Sequence, residues 1–501
     1  MGKKKKSLDP DAPAVRAEDL ADDGSKRLLI GFAAVLFLAG FVVAVIAVLY
    51  RPQRTVLVGM DAHETAWLSH ALKEYADRHH ANLRFVSYRD AAQFDSLLAA
   101  DRAARTHRIV LAETPLERMA ALADSNAVIP LRELKGVGDL GVLLADFTAE
   151  SVGPTRVAGR VCFLPSRVTT LCLAYSSARV ADAVAHGEEM RSLVEGWLRQ
   201  ANGTGLPADF HLEADPADWD SYDLLLVAAY WANQPFIDGT APRVAHAAAP
   251  SNALGFDLAA RSFSMGADVD QVLALDGFGV RDALAWESLW FEHGLYANDM
   301  VAARWTPDDI AREMAAGRIW LATLEPSAVL RLHGLAADSA SAVPMAPRAA
   351  DIALSRLPRG VSLELRNRFP ERAGDPWSAR GGSWWGVPRT SPDPKLAIGL
   401  VRAMTTPEFQ AEAMRTLGWM PTRKDLVDGL GNIFTVKDEY ELARQAVRQL
   451  YPFGRPLPNS ARWPAASAAL ARAWEDACVT RHTTAPIDLA ETLRRAQSTP
   501  R

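Results

Sequence analysis

Beyond residue 54 the chain alternates short β-rich runs with amphipathic helical stretches, and this alternation restricts the fold more than any other feature of the sequence. Thr55–Met60 (TVLVGM) is an apolar run of buried-strand length. Ala66–Arg78 then places Trp67, Leu68, Ala71, Leu72 and Tyr75 at helical spacing. Leu83–Tyr88 (LRFVSY) alternates as a strand does, and Arg108–Ala112 (RIVLA) is another buried run. Strands separated by helices are the pattern of βαβ units, so the sequence predicts an α/β fold with a parallel sheet. Three later helices have legible starts at Thr306-Pro307-Asp308-Asp309, Asp393-Pro394 and Thr406-Pro407-Glu408. Each supplies a capping side chain and a proline at the first helical position. Gly418 suits the exit of the last of them. Trp463–Gln497 reads as two helices divided near Pro486, giving a helical C-terminal part.

Residues 28–50 (LLIGFAAVLFLAGFVVAVIAVLY) are uncharged throughout. As a helix they would extend about 35 Å, enough to cross a hydrocarbon core of about 30 Å. Seven Lys/Arg precede the run, whereas only Arg51 and Arg54 follow it closely. The positive-inside rule therefore puts the N-terminus in the cytoplasm and residues 51–501 outside. The run is longer than a usual signal-peptide core and its one small-x-small pair (Val45, Ala47) lies inside it, which favours an uncleaved single-pass anchor in the cytoplasmic membrane. A long cleaved signal is the alternative, and both place the main domain in the periplasm or outside the cell. Residues 1–27, with mixed charge and little apolar pattern, read as a disordered cytoplasmic tail.

Composition excludes several classes. A net charge of −5 across 501 residues, with 49% hydrophobic residues, is neither a disordered chain nor a strongly basic nucleic-acid binder. Three cysteines make no disulfide scaffold. Cys162 and Cys172 lie in two apolar runs and could be a disulfide or two buried thiols. Gly136–Gly141 (GVGDLG) matches GxGxxG, but no evident strand precedes it, so a flexible turn is the better reading. His79-His80 face different sides of a helix and chelate poorly, and the acids around Asp215–Asp223 lack calcium-loop spacing. No phosphate loop, GxSxG elbow, HExxH pair or CxxC is present, so no enzyme, cofactor or metal site is expected.

Four segments, in order, resemble one family. Arg108–Leu131 is a strand, a polar turn and a helix ending in Ile-Pro-Leu. Gly159–Tyr175 (GRVCFLPSRVTTLCLAY) looks like a hinge segment. Ala283–Val329 carries Trp286, Trp290 and Met314–Trp320 (MAAGRIW). Gly381–Pro388 (GGSWWGVP) is followed by two helices and Gly418–Thr422 (GWMPT). Together they resemble the extracellular solute-binding proteins of ABC importers, in particular the maltose-binding-protein-like group. The chain departs from the family pattern in having no lipid-attachment cysteine.

The resemblance implies a two-lobed clamshell of the type II periplasmic-binding class, closing by hinge motion on a polar small molecule, with a permease and an ATPase as partners. The implied division is 51–165 and 351–395 for the first lobe, 166–350 for the second, and 396–501 for helices completing the second lobe and hinge. Ligands of open α/β sheets sit beyond the carboxyl ends of strands, which nominates the turns after them. These supply Asp61 and His63, Glu113 and Thr114, and Glu325; the hinge segment adds Arg167, the end of the Leu224–Trp231 helix adds Tyr230, Trp231 and Asn233, and the Gly381 loop adds Trp384 and Trp385. Several have structural alternatives: Asp61 as a helix cap, Arg167 as partner to a hinge carboxylate, Tyr230 and Trp231 as packing. In an extended strand only one of Trp384 and Trp385 can face a cleft. Glu113 is the strongest candidate. Aromatic faces beside carboxylates and amides suit a sugar or oligosaccharide. A polyamine is the alternative ligand, and a sensor or scaffold using the same clamshell is the alternative role.

Overall fold

The larger of two sheets has parallel β1 (Gln53–Val58), β2 (Asn82–Ser87) and β3 (Ile109–Pro115) at one side, with β1 between the other two. The computed structural model describes residues 32–33, 35–41, 53–104, 107–234, 244–248, 252–337, 351–363, 374–480 and 489–498. A two-stranded ribbon, β4 (Arg156–Val157) and β5 (Arg160–Val161), leads into β6 (Phe163–Thr170), and β7 (Cys172–Ser176) follows after Leu171 alone. The smaller sheet is ordered β10-β7-β9-β8, with β8 at Val244–Ala245, β9 at Leu321–Leu324 and β10 at Ile352–Ser355. The chain returns to the larger sheet as β11 (Ser378–Gly386). This strand runs antiparallel to both β3 and β6 and parallel to β12 (Gly454–Pro456). Two α/β lobes result, each around its own mixed sheet, with Leu171 and the stretch between β10 and β11 passing from one to the other.

Both faces of the larger sheet are buried, and side-chain alternation distributes its residues between two cores. Val56 and Val58 enter the core under the helices Ala62–Ala71, Pro394–Met404 and Pro407–Leu417, whereas Leu57 enters the core on the opposite face. The same alternation sends Trp384 to one core and Trp385 to the other.

The proline-marked helices start where their sequence signals place them. Thr306, Asp393 and Thr406 each accept a backbone N–H at the helix start, and Gly418 closes the last helix at φ +69°. The stretch read as one helix over 66–78 is two, Ala62–Ala71 and Lys73–Arg78, joined at Leu72. In Gly136–Gly141 both Gly136 (φ +87°) and Gly138 (φ +75°) are left-handed, and a 3₁₀ turn rather than a strand precedes them. Cys162 and Cys172 are free, buried thiols.

Of the uncharged run at 28–50, residues 32–33 and 35–41 are described; they are helical and exposed. No helix among the described residues is long and apolar enough to cross a membrane. The remainder of the run and the tail at 1–27 lie outside the described residues.

Gly382 pairs with Val168 just before β11 changes register against β6, between Ser383 and Trp384. Its φ of +134° is strained for any L side chain, and a Cβ there would lie 2.3 Å from the Arg167 carbonyl oxygen. Gly382→Ala is expected to lower stability by about 1–3 kcal/mol, read as a lower urea midpoint at unchanged slope.

Candidate functional site

The carboxyl ends of β1, β2 and β3 converge on a buried carboxylate. Glu113, in β3, is fully buried. Its Oε2 accepts the Gly59 N–H at 2.9 Å, from the turn after β1. Its Oε1 accepts the Ser166 hydroxyl at 3.0 Å, Arg167 Nε–H at 3.1 Å and the Ser383 hydroxyl. One side chain thus joins β3, the turn after β1, β6 and β11. Tyr88, just after β2, donates its hydroxyl to the Glu113 carbonyl at 2.7 Å. That ring passes so close to Gly59 that a Cβ at 59 would lie 2.6 Å from the Tyr88 oxygen, which explains the glycine.

Arg167 extends the network. It also donates to the Gly59 carbonyl, and to Glu64 at 3.4 Å, and its guanidinium lies 5.3 Å from the Trp419 ring centroid. Trp419 donates its indole N–H to Glu64 at 2.8 Å. Burial pushes the Glu64 carboxyl up, but Arg167, Arg331, the Trp419 indole and the Asp61 N–H together hold it below its ordinary value. Arg331, on the helix that follows β9, reaches across to the other lobe. It pairs with Asp61 at 3.1 Å while also holding Asp308 at 2.9 Å.

Beside this network lies a cavity of about 430 Å³ between the two sheets. Arg167 and Thr169 line it from β6, and Tyr88, Asp90 and Glu117 from the larger-sheet side. Phe256, Glu325 and Ser327 face them from the other side, and Trp419, Leu457 and Trp463 complete the wall. Burial raises the Glu325 carboxyl above its ordinary value, against the opposing effects of Arg167, a Thr169 hydrogen bond and Arg331. The site offers aromatic faces, carboxylates and a fixed guanidinium around a space suited to a small polar molecule.

A sequence profile described as bacterial extracellular solute-binding protein matches residues 70–443. The chain belongs to that family. As a solute-binding protein it is similar in structure to the maltose-bound MalE3 of T. maritima, at 17% identity and a TM-score of 0.64 over 89% of this chain and 98% of that one. The GacH receptor of Streptomyces glaucescens, solved unliganded and with acarbose, is similar at 14% identity and 0.64, over 89% and 97%. UgpB from Mycobacterium tuberculosis, solved with glycerophosphocholine, is similar at 18% and 0.60, over 89% and 97%. At these identities the likeness shows the fold. A comparison with curated proteins by sequence found no match.

Within this solute-binding protein the nominated residues separate into two groups. Arg167 and Glu325 line the cavity, Glu113 adjoins it through Arg167, and Asp61 is paired with Arg331 outside its lining. Both oxygens of Glu113 are engaged by the protein itself, so its place is beneath the cavity wall. Asp61 caps the helix Ala62–Ala71 in a reciprocal capping box with Glu64.

The other nominated residues are not brought to the cavity. His63 is exposed on the first turn of that helix, and Thr114 is fully buried with its hydroxyl on the Ala112 carbonyl. Tyr230 bonds Asp182 and stacks on His186, Trp231 packs edge-on against Trp320, and Asn233 caps its own helix. Trp384 donates to the Ser151 carbonyl at 2.8 Å, and Trp385 is buried on the opposite face. Since the sheet is covered on both sides, neither tryptophan of the pair reaches an opening, which corrects the expectation that one would.

Sequence reading missed Tyr88, Asp90, Glu117, Phe256, Trp419, Trp463, Glu64 and Arg331. The rule of looking just past each strand, applied to β2, would have found Tyr88 and Asp90. Trp419 lies inside the recognised Gly418–Thr422 segment.

Glu113→Gln removes the nearer of Arg167's two anionic partners, leaving Glu64 at 3.4 Å, and turns an amide toward existing donors. It should lower stability by about 3–5 kcal/mol in urea unfolding. Glu64 titrates lower in the folded than in the unfolded chain, whose value is near 4.5. Its stabilisation is therefore complete above pH 4.5 and is lost as pH falls through the lower folded value. Urea midpoints measured downward from pH 5 should fall more steeply for the wild type than for Glu64→Gln.

Proposed function

We propose that this protein is the membrane-anchored, extracytoplasmic solute-binding subunit of an ABC importer, and that its ligand is a sugar or oligosaccharide. The observation that carries the reading is the interlobe cavity, where Tyr88, Phe256, Trp419 and Trp463 stand beside Asp90, Glu117 and Glu325. Aromatic faces cover the C–H side of a pyranose while carboxylates accept its hydroxyls. The maltose-bound and acarbose-bound relatives support this ligand class. The lobes close on ligand by rotating about Leu171, the one residue between β6 and β7, two residues beyond Thr169 in the cavity wall. Arg331 with Asp61 and Asp308 provides charge contacts across the closing edge. The protein binds and hands on its ligand to a permease without turning it over. The uncharged run at 28–50 holds the domain at the membrane, with the N-terminus cytoplasmic.

Thermal unfolding of the full chain against maltooligosaccharides, other sugars, polyamines, amino acids and anions tests the reading. A ligand at 100 times its Kd adds about 2.7 kcal/mol, a clear rise in Tm. A rise with one sugar class, abolished by Trp463→Ala and accompanied by a smaller radius of gyration in solution scattering, is expected. A rise with polyamines alone would overturn the sugar assignment, and no rise across the panel would favour a sensor or scaffold role.

A further inference from the structure

The larger sheet has a second concave site, at the opposite end of its strands from the ligand cavity. Parallel pairing sets Gln53 beside Asn82, so the amino ends of β1 and β2 lie together. Arg54 there adjoins the turn that leads into β2. Around them opens a pocket of about 420 Å³, lined by Arg54, His79, His80, Lys135, Lys395 and Arg402. Lys135, Lys395, Arg402 and both histidines are exposed, and Arg54 is half-buried. Arg402 is steadied by donating to the Val137 carbonyl at 2.8 Å, and His79 by stacking on Tyr75. Asp393 is the one acid among the lining residues, and it caps the helix Pro394–Met404 through the Leu396 N–H. Four guanidinium or ammonium groups against one carboxylate make a strongly positive surface on a chain whose net charge is −5. Lysine is scarce after residue 50, with five in all, yet two of the five are here.

The position of this pocket along the chain says what it faces. Arg54 is four residues beyond Tyr50, the last residue of the uncharged run, so it lies within about 14 Å of that run's end whatever path the chain takes. An anionic bilayer attracts basic groups over about a Debye length, 8–10 Å at physiological salt. We propose that the pocket formed by Arg54, Lys135, Lys395 and Arg402, with His79 and His80 beside them, docks on the phosphate head groups of an anionic bilayer. Docking holds the larger sheet with its amino edge on the membrane and the carboxyl edge, with the ligand cavity, turned away. This inference rests on the reading of residues 28–50 as an anchor.

The test is hydrogen exchange on the full chain reconstituted into nanodiscs of phosphatidylcholine alone or of phosphatidylcholine with phosphatidylglycerol. Amides at 134–138 and 395–402 should be protected only in the discs containing phosphatidylglycerol. Each cation near such a surface is worth about fivefold in affinity. Protection should therefore be lost in Lys135→Glu combined with Lys395→Glu, two exposed positions that leave the fold intact, and at high salt. Equal exchange in the two kinds of disc overturns the proposal. So does equal protection by inorganic phosphate in phosphatidylcholine discs, which would make the pocket a free-anion site. A chain that fails to enter discs overturns the anchor reading itself, whereas one that inserts without protection overturns only the docking.

Discussion

The pair of buried Glu113 and half-buried Arg167 sits where the turn after β1, the end of β3 and the strands β6 and β11 meet, and the floor of the cavity depends on it. Removing two charges from water costs several kcal/mol per ion, so such a pair is tolerated only when most of its lone pairs and protons find partners. Here the carboxylate accepts four hydrogen bonds from three segments, and the guanidinium reaches Gly59, Glu64 and the Trp419 face as well. The pair's contribution is therefore geometric: any slip of β6 or β11 would strand a charge. Because β6 runs into β7 through one residue, the same contacts also fix where the chain leaves the first lobe for the second.

The polarity of the parallel strands then assigns different work to the two ends of the larger sheet. At the carboxyl ends the turns after β1 and β2 approach β6 and β11, and residues from the second lobe close the cavity over them. At the amino ends no described residue of the second lobe lines the pocket, and cationic side chains stand around a depression beside the start of β1. In the proposed reading, ligand capture and membrane attachment are separated by the length of a strand, so that opening of the lobes need not disturb the edge proposed to face the membrane.

Much of the element pattern was legible because it rests on local physics. The proline-capped helix starts depend on backbone donors a few residues away, and the glycines at 136 and 138 needed only the absence of a preceding strand to be read as a turn. Choosing residues by their local position found Arg167 and Glu325 at the cavity and Glu113 next to it. It failed at Trp384 and Trp385, where a sheet covered on both faces leaves no exposed side. It also failed at Tyr230 and Trp231, whose partners Asp182, His186 and Trp320 lie far away in sequence. Glu113 was nominated because a carboxylate leaves a buried strand there, yet its oxygens serve neighbouring segments of the same chain.

By itself the sequence determined the alternation of strands and helices, the proline-marked helix starts, the family and the uncharged segment ahead of β1, since each is encoded in spacing or in contiguous composition. Only the tertiary structure decided which aromatic side chains reach the cavity. Trp419 and Trp463 come to it from the C-terminal part, Phe256 from the middle of the second lobe and Tyr88 from the first. No periodicity relates positions so far apart. What brings them together is the burial of both faces of one sheet and the satisfaction of one charged pair, and both are properties of the whole packed molecule.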